Sequence, residues 1–212
     1  MEKIHIVGVG PGSRDYLLPI ALKAIEGSDT LLGSPRLLEM FSYMADKKTV
    51  TLSGSPSEAL EIISKRGRNE RMAVLVSGDP CFFSLGSSLA ASLPEDQYEI
   101  IPGLSSVSLA FSRLGISWQE GTFVSVHGRP LDSLNGLQKE TGPIAILTGG
   151  LNNPMEVASK LLKIGVSDRK CWTMSNLGTD DEKVESTDLS DLSEEDRASW
   201  PSLTLVLLEP RS

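Results

Sequence analysis

The chain has 212 residues, 40% of them hydrophobic, enough to bury a sizeable core in one large domain or two small ones. Asp and Glu outnumber Lys and Arg by 28 to 20, a formal charge of −8, and the only basic run, Lys65-Arg66-Gly67-Arg68, reads as a helix end, so a nucleic-acid partner is not expected. Two distant cysteines, Cys81 and Cys171, offer neither a disulfide framework nor a metal site, and no apolar run approaches the roughly 18 residues of a membrane span; a cytoplasmic chain with no metal and no membrane partner is expected.

Ile4 to Val9 is a β-branched run ending in glycines, and Pro19 to Glu26 follows it as a helix closed by Gly27. Ser55-Pro56-Ser57-Glu58 is a capping box with proline at the first helical position, and the helix it opens turns Ala59, Ile62 and Ile63 inward before Gly67. Met72 to Val76 is the next strand, Phe82 to Leu93 the next helix, Tyr98 to Ile101 a strand, and Ser105 to Leu114 a helix stopped by Gly115. A second series brings strands at Thr122 to Val126, Ile144 to Leu147, Cys171 to Met174 and Leu203 to Leu208, with a helix from Asn153-Pro154-Met155-Glu156 to Gly165. The stretch from Asp180 to Asp196 is acidic, turn-rich and expected at the surface. Strands alternating with helices in two series predict two α/β domains, residues 1–115 and 116–212, facing a shared cleft.

Three loops at strand ends are candidates for chemistry. Val7-Gly8-Val9-Gly10-Pro11-Gly12-Ser13 stands where a dinucleotide fingerprint would stand, but Ser13 replaces a glycine and Pro11 removes a backbone N–H that would face a pyrophosphate. Its glycines still permit a ligand to approach the backbone closely. Ser77-Gly78-Asp79-Pro80 follows a hydrophobic strand; Asp79 either accepts hydrogen bonds from a ligand or caps the next helix, and Phe82 and Phe83 read as core. Pro102-Gly103-Leu104-Ser105-Ser106 opens a helix with small hydroxyl residues and misses the nucleophile elbow, because Val107 occupies the last glycine position. Open loops without a nucleophile or metal cluster suggest a transferase that aligns two ligands.

In order and spacing, these loops together with Leu147-Thr148-Gly149-Gly150 resemble the tetrapyrrole methylase family along almost the whole chain. Within it, Gly33-Ser34-Pro35-Arg36-Leu37-Leu38, the stretch from Leu109 to Gly115 followed by Trp118, and Ser125-Val126-His127-Gly128-Arg129 are most similar to the subgroup that methylates C5 of cobalt-precorrin-7 in cobalamin biosynthesis. Ser175-Asn176-Leu177-Gly178 resembles a Glu-Asn-Leu loop of that subgroup, with Ser175 in place of its acid. The resemblance implies a homodimer of two-domain subunits that binds S-adenosylmethionine (SAM) and a tetrapyrrole and releases S-adenosylhomocysteine. Carried over by position, Pro11, Gly78, Asp79, Phe82, Ser105, Ser106, Thr148, Leu177 and Thr204 are its cofactor-site residues. It also implies a separate C15-methylating, decarboxylating subunit, since the fused form carries a second domain that this chain is expected to lack.

Methylating a ring carbon requires the carbon's hydrogen to leave, and of the two histidines His127, after a strand and before Gly128, is the candidate base; His5, inside the first strand, is expected to be structural. Arg129 and Arg113 are candidates to pair with the substrate's carboxylates through bidentate bonds. Trp118 and Trp200 read as packing residues. Two other readings stand beside this one: a member of the same family acting on a different precorrin carbon, on RNA or on protein, and a tetrapyrrole-binding or scaffold protein without SAM chemistry.

Overall fold

The computed structural model describes residues 2–67, 69–166, 169–195 and 200–211; of the stretches singled out above, Arg68 and Asp196 lie outside the described residues. The chain divides into two compact units, Met1–Ser106 and Val107–Ser212. The helix that the sequence assigns to the first series, observed at Ser106–Leu114, falls in the second unit except for its first residue.

The first unit is a wholly parallel sheet. Its strands are β1 (Ile4–Gly8), β2 (Thr30–Gly33), β3 (Lys48–Thr51), β4 (Met72–Val76) and β5 (Tyr98–Ile101), in the spatial order β3-β2-β4-β1-β5. Period-two alternation divides the strands' side chains between two faces. Ile4, Ile6, Leu32, Met72, Val74 and Val76 pack with helices α3 (Pro56–Ser64) and α4 (Leu85–Ala90), whereas Val7, Leu31, Ala73, Leu75 and Ile101 pack with α1 (Pro19–Glu26) and α2 (Pro35–Glu39). Right-handed crossovers account for the division. The chain moves outward from β1 to β3 with its helices on one face, then reverses, which carries α3 and α4 to the other. The neighbours β1 and β4 therefore send their connections to opposite faces, and the crevice at their carboxyl ends is where such sheets bind ligands.

Two features depart from the sequence reading. β2 and β3 are four residues each, β2 directly after Asp29 and β3 made of Lys48-Thr49-Val50-Thr51, and neither carries a readable pattern. The helix expected from Phe82 begins only at Leu85: Phe83 adopts a left-handed φ of 48°, Ser84 caps the helix by accepting from Gly86 N at 3.3 Å, and Gly86 packs so closely on Pro80 that a Cβ there would lie 2.7 Å from the Pro80 carbonyl oxygen. Residues 80–84 are thus a loop, and Phe83 is exposed rather than core.

The second unit contains α5 (Ser106–Leu114), β6 (Thr122–Ser125), β7 (Ile144–Leu147), α6 (Pro154–Lys163), β8 (Cys171–Ser175), β9 (Lys183–Thr187), α7 (Leu189–Glu194) and β10 (Thr204–Leu208). Its sheet runs β6-β7-β10-β8-β9, with only β6 and β7 parallel. Val157, Ala158 and Leu161 of α6 meet Leu189 and Leu192 of α7 over Ile144, Ile146, Cys171, Val206 and Leu208. The supposed acidic surface stretch therefore supplies an edge strand and a core helix. Its elements, of five and six residues, are too short for a pattern to rise above the charge. Trp200 packs against this core as expected, but Trp118 lies 47% exposed against Phe111 and Phe123. Arg169 is buried. Its guanidinium donates to the carbonyls of Glu209, Glu140, Thr141 and Gly142, tying the start of β7 to the end of β10.

At the amino edge of the first sheet, the Arg71 guanidinium donates to both oxygens of Asp29 at 2.5 and 3.2 Å and its backbone N–H donates at 3.0 Å. These bonds hold the Asp29 carboxyl down at about 2. A folded-state value below the ordinary carboxylate range near 4 means that the pair's contribution is complete above that range and disappears as pH falls through about 2. Asp29→Asn should therefore flatten this part of the acid limb. Urea midpoints taken at steps between pH 5 and pH 2 should fall less steeply for the variant than for the parent.

Candidate functional site

In the first unit, three nominated loops leave β1, β4 and β5 from the same edge, and they touch through glycine backbone. A Cβ at Gly8 would lie 2.6 Å from the Gly78 carbonyl oxygen and 2.7 Å from Gly103 N, and one at Gly103 would overlap that same carbonyl. Gly10 and Gly78 form an isolated bridge, with Gly78 N donating to Gly10 O at 2.9 Å and Gly10 N to Gly78 O at 3.4 Å. Both glycines have left-handed φ values, 79° and 67°, which side-chain-bearing residues rarely adopt. A Cβ on Gly78 would meet only the Ser105 Cα, at 3.8 Å, so one side of this backbone is open to a ligand. Pro11 is buried beside the bridge.

Asp79 resolves the two sequence readings in an unexpected way. It does not cap α4; that is done by Ser84. Its Oδ1 accepts from Cys81 N at 2.8 Å and its Oδ2 from Gly103 N at 3.2 Å, so one carboxylate turns its own loop and fastens it to the loop after β5. A carboxylate has about four lone-pair positions, so accepting capacity remains for a ligand. Phe82 and Phe83 meet edge to face at 4.8 Å just beyond it, and Ser105 and Ser106 lie half-buried at the start of α5.

In the second unit, the remaining nominated residues collect at one end of the sheet, because β6, β7 and β8 finish there and the antiparallel β10 starts there. Thr148 donates its hydroxyl to Thr204 O at 2.7 Å. Thr204 Oγ1 donates to Pro201 O at 2.7 Å and meets Ser175 Oγ at 2.9 Å. Since the Thr204 proton is engaged by Pro201, Ser175 is the donor of that pair. The serine that replaces the subgroup's acid is thus part of a buried hydroxyl chain. Leu177 is buried in the following loop, whose Gly178 N donates to Glu182 Oε2 at 2.7 Å.

His127 is exposed and its Nδ1 lies 3.3 Å from Thr148 O. A carbonyl only accepts, so this hydrogen bond requires a proton on Nδ1. The imidazole occupies space that a side chain at Gly149 would overlap. Asn152, which the sequence reading passed over, donates from Nδ2 to Val126 O at 2.9 Å and Arg129 O at 2.6 Å and so holds the His127 loop closed. The Gly-Gly turn before it was its only sequence signal.

The two nominated arginines differ. Arg129 is exposed on the His127 loop. Arg113, near the end of α5, forks onto Glu182 at 2.5 and 3.0 Å, and this bond holds the Glu182 carboxyl below its usual range. Arg113 therefore braces the Leu177 loop through Glu182, an acid that sequence spacing did not connect to it. His5, as expected, sits in β1, 3.8 Å from Glu99. Cys171 is a core residue whose thiol burial pushes up to about 12, and Cys81 is exposed; both are free. Among the described residues no cluster of three metal-ligating side chains occurs.

Comparison with known proteins identifies the family and the fold. The model of the tetrapyrrole (corrin/porphyrin) methylase family matches residues 3–193. A probable cobalt-precorrin-7 C(5)-methyltransferase of Methanocaldococcus jannaschii is 34% identical over 198 residues, covering 91% of this chain and 92% of that protein. A precorrin-6Y C(5,15)-methyltransferase (decarboxylating) of Sinorhizobium is 32% identical over 182 residues, covering 85% of this chain and 44% of that protein. The solved structure of the cobalamin biosynthesis precorrin-6Y methylase (cbiE) from Archaeoglobus fulgidus superposes with a TM-score of 0.74 at 26% identity, covering 99% of each chain.

The glycine contact makes a direct prediction. Gly103→Ala should force the three loops apart at a cost of roughly 1–3 kcal/mol from overpacking, read as a lower urea midpoint with an unchanged m-value.

Proposed function

The chain belongs to the tetrapyrrole methylase family and is a SAM-dependent methyltransferase, and on that premise we propose that it methylates C5 of cobalt-precorrin-7 in cobalamin biosynthesis. The observation that carries the position is the likeness to the Methanocaldococcus protein, which extends over nine-tenths of both chains. The Sinorhizobium relative, whose matched segment lies in a longer protein named for both C5 and C15, supports a separate C15-methylating, decarboxylating partner. We place the enzyme in the cytoplasm as a homodimer. Two free thiols, one of them exposed, are in keeping with a reducing compartment, and among the described residues no helix is long and apolar enough to cross a membrane.

The loops around Gly10, Gly78 and Gly103 fit SAM: one face of the backbone is free of side chains, Asp79 has lone pairs to spare, and small hydroxyls at Ser105 and Ser106 border it. Pro11, Gly78, Asp79, Phe82, Ser105 and Ser106 are the residues of the first unit that would hold it. SAM supplies an electrophilic methyl group on a sulfonium. What the chain itself contributes is alignment and exclusion of water, worth several kcal/mol of barrier by effective-molarity arguments, about 7–11 at most. It also provides a proton acceptor. The Nε2 of the exposed His127 is the atom assigned to take the proton that C5 sheds, while the Nδ1–H bond to Thr148 O fixes the ring. Arg129, on the same loop, would engage a substrate carboxylate.

Three measurements test this. Incubation with methyl-labelled SAM and cobalt-precorrin-7 should add one methyl group, located at C5 by NMR; transfer to another ring carbon overturns the position. Asp79→Ala should weaken SAM binding at least about tenfold by calorimetry, because the loops lose their fastening as well as a ligand acceptor. His127→Ala should lower kcat on the order of 100-fold with little change in KM; an unchanged kcat would show that the proton leaves to solvent.

A further inference from the structure

Gly33, the last residue of β2, lies so near β4 that an added Cβ would stand 3.2 Å from Leu75 Cβ and 3.5 Å from Leu75 O. The chain turns there into α2, which begins at Pro35, and the tight seat brings Arg36 to Ser77, the residue that follows β4 and precedes Gly78 and Asp79. Arg36 Nη2 donates to Ser77 Oγ at 3.3 Å. That bond is long, its acceptor is neutral, and it uses one of the guanidinium's five donors.

Other arginines of the described chain are engaged more fully. Arg71 forks onto Asp29, Arg113 onto Glu182, Arg169 onto four carbonyls, and Arg14 donates to Met40 O while lying over the Tyr43 ring. Among the described residues no carboxylate lies within ion-pair distance of Arg36; the residue is exposed, although partial burial of its guanidinium lowers its pKa. We propose that Arg36 is a substrate-binding residue: from the carboxyl edge of the first sheet, beside the Gly78-Asp79 loop, it receives a carboxylate of the tetrapyrrole. The inference rests on the reading of the substrate as a tetrapyrrole polycarboxylate. A chain of net charge −8 repels such a polyanion as a whole, so binding requires local cations whose donors are not already committed to the protein. Arg36 meets that requirement, and a planar guanidinium is matched in shape to a carboxylate.

The test compares Arg36→Ala, Arg36→Gln and Arg36→Lys with the parent enzyme in three measurements: KM for the tetrapyrrole, kcat, and the SAM dissociation constant by calorimetry. Arg36→Ala and Arg36→Gln should raise KM on the order of tenfold or more, keep kcat within about twofold, and leave SAM binding unchanged. Arg36→Lys should recover part of the loss, and the rise of KM with added salt should be shallower in the charge-removed variants. A weakened SAM affinity that parallels the KM change would overturn the proposal and make Arg36 a brace of the Ser77 loop, and unchanged KM in all three would overturn it outright. Parent enzyme that methylates a carbon other than C5 refutes the positional reading instead, and Arg36 is then judged by the same KM comparison on that reaction.

Discussion

The mutual approach of three backbone segments at Gly8, Gly78 and Gly103 is the constraint on which the first unit's site depends. A parallel sheet delivers the ends of β1, β4 and β5 to one edge, but delivery alone leaves loops separated by the usual strand spacing of about 5 Å and the bulk of their side chains. The absence of Cβ atoms at Gly8 and Gly103 lets the carbonyl of Gly78 reach the other two loops, and the Gly10 bridge closes the arrangement. Glycine carries an entropic cost in the unfolded chain. The double-faced core beneath, with Ile4, Ile6, Val7, Val74 and Leu75 fully or almost fully buried, offsets it. Asp79 then converts proximity into a fixed geometry by accepting from both its own loop and the loop after β5.

The second unit reaches a defined edge by another means. There the positions of the strand ends are set by side-chain hydrogen bonds: His127 to Thr148, Thr148 to Thr204, Ser175 to Thr204, and Asn152 across the His127 loop. The buried hydroxyls of Thr148, Ser175 and Thr204 each have a partner inside the protein, so they fix shape without presenting charge. A hydroxyl at Ser175 suits that setting, because a buried carboxylate there would need its own cation. The ionic part of the edge is moved outward, to the Arg113 and Glu182 fork that braces the Leu177 loop. His127 itself is exposed at this edge.

The sequence determined the α/β class, the strand-end loops and the family, because those follow from local signals: β-branched runs, prolines at first helical positions, capping acids, and glycines where backbone must bend. It also singled out Asp79, Thr148 and His127. Several things were decided only by tertiary structure. β2, β3 and β9 are too short or too polar to announce themselves and exist because a neighbouring strand pairs with them. The late start of α4 reflects Asp79 and Gly86 folding residues 80–84 into a loop, a preference that helix-forming residues in the sequence concealed. The brace from Arg113 to Glu182 was also hidden, since Glu182, sixty-nine residues away, faces Arg113 only once β8 and β9 have paired. Arg36 stood in a recognised motif without a role until Gly33 seated α2 against β4. In each case the deciding partner is remote in sequence, and a pattern read along the chain contains no distances across it.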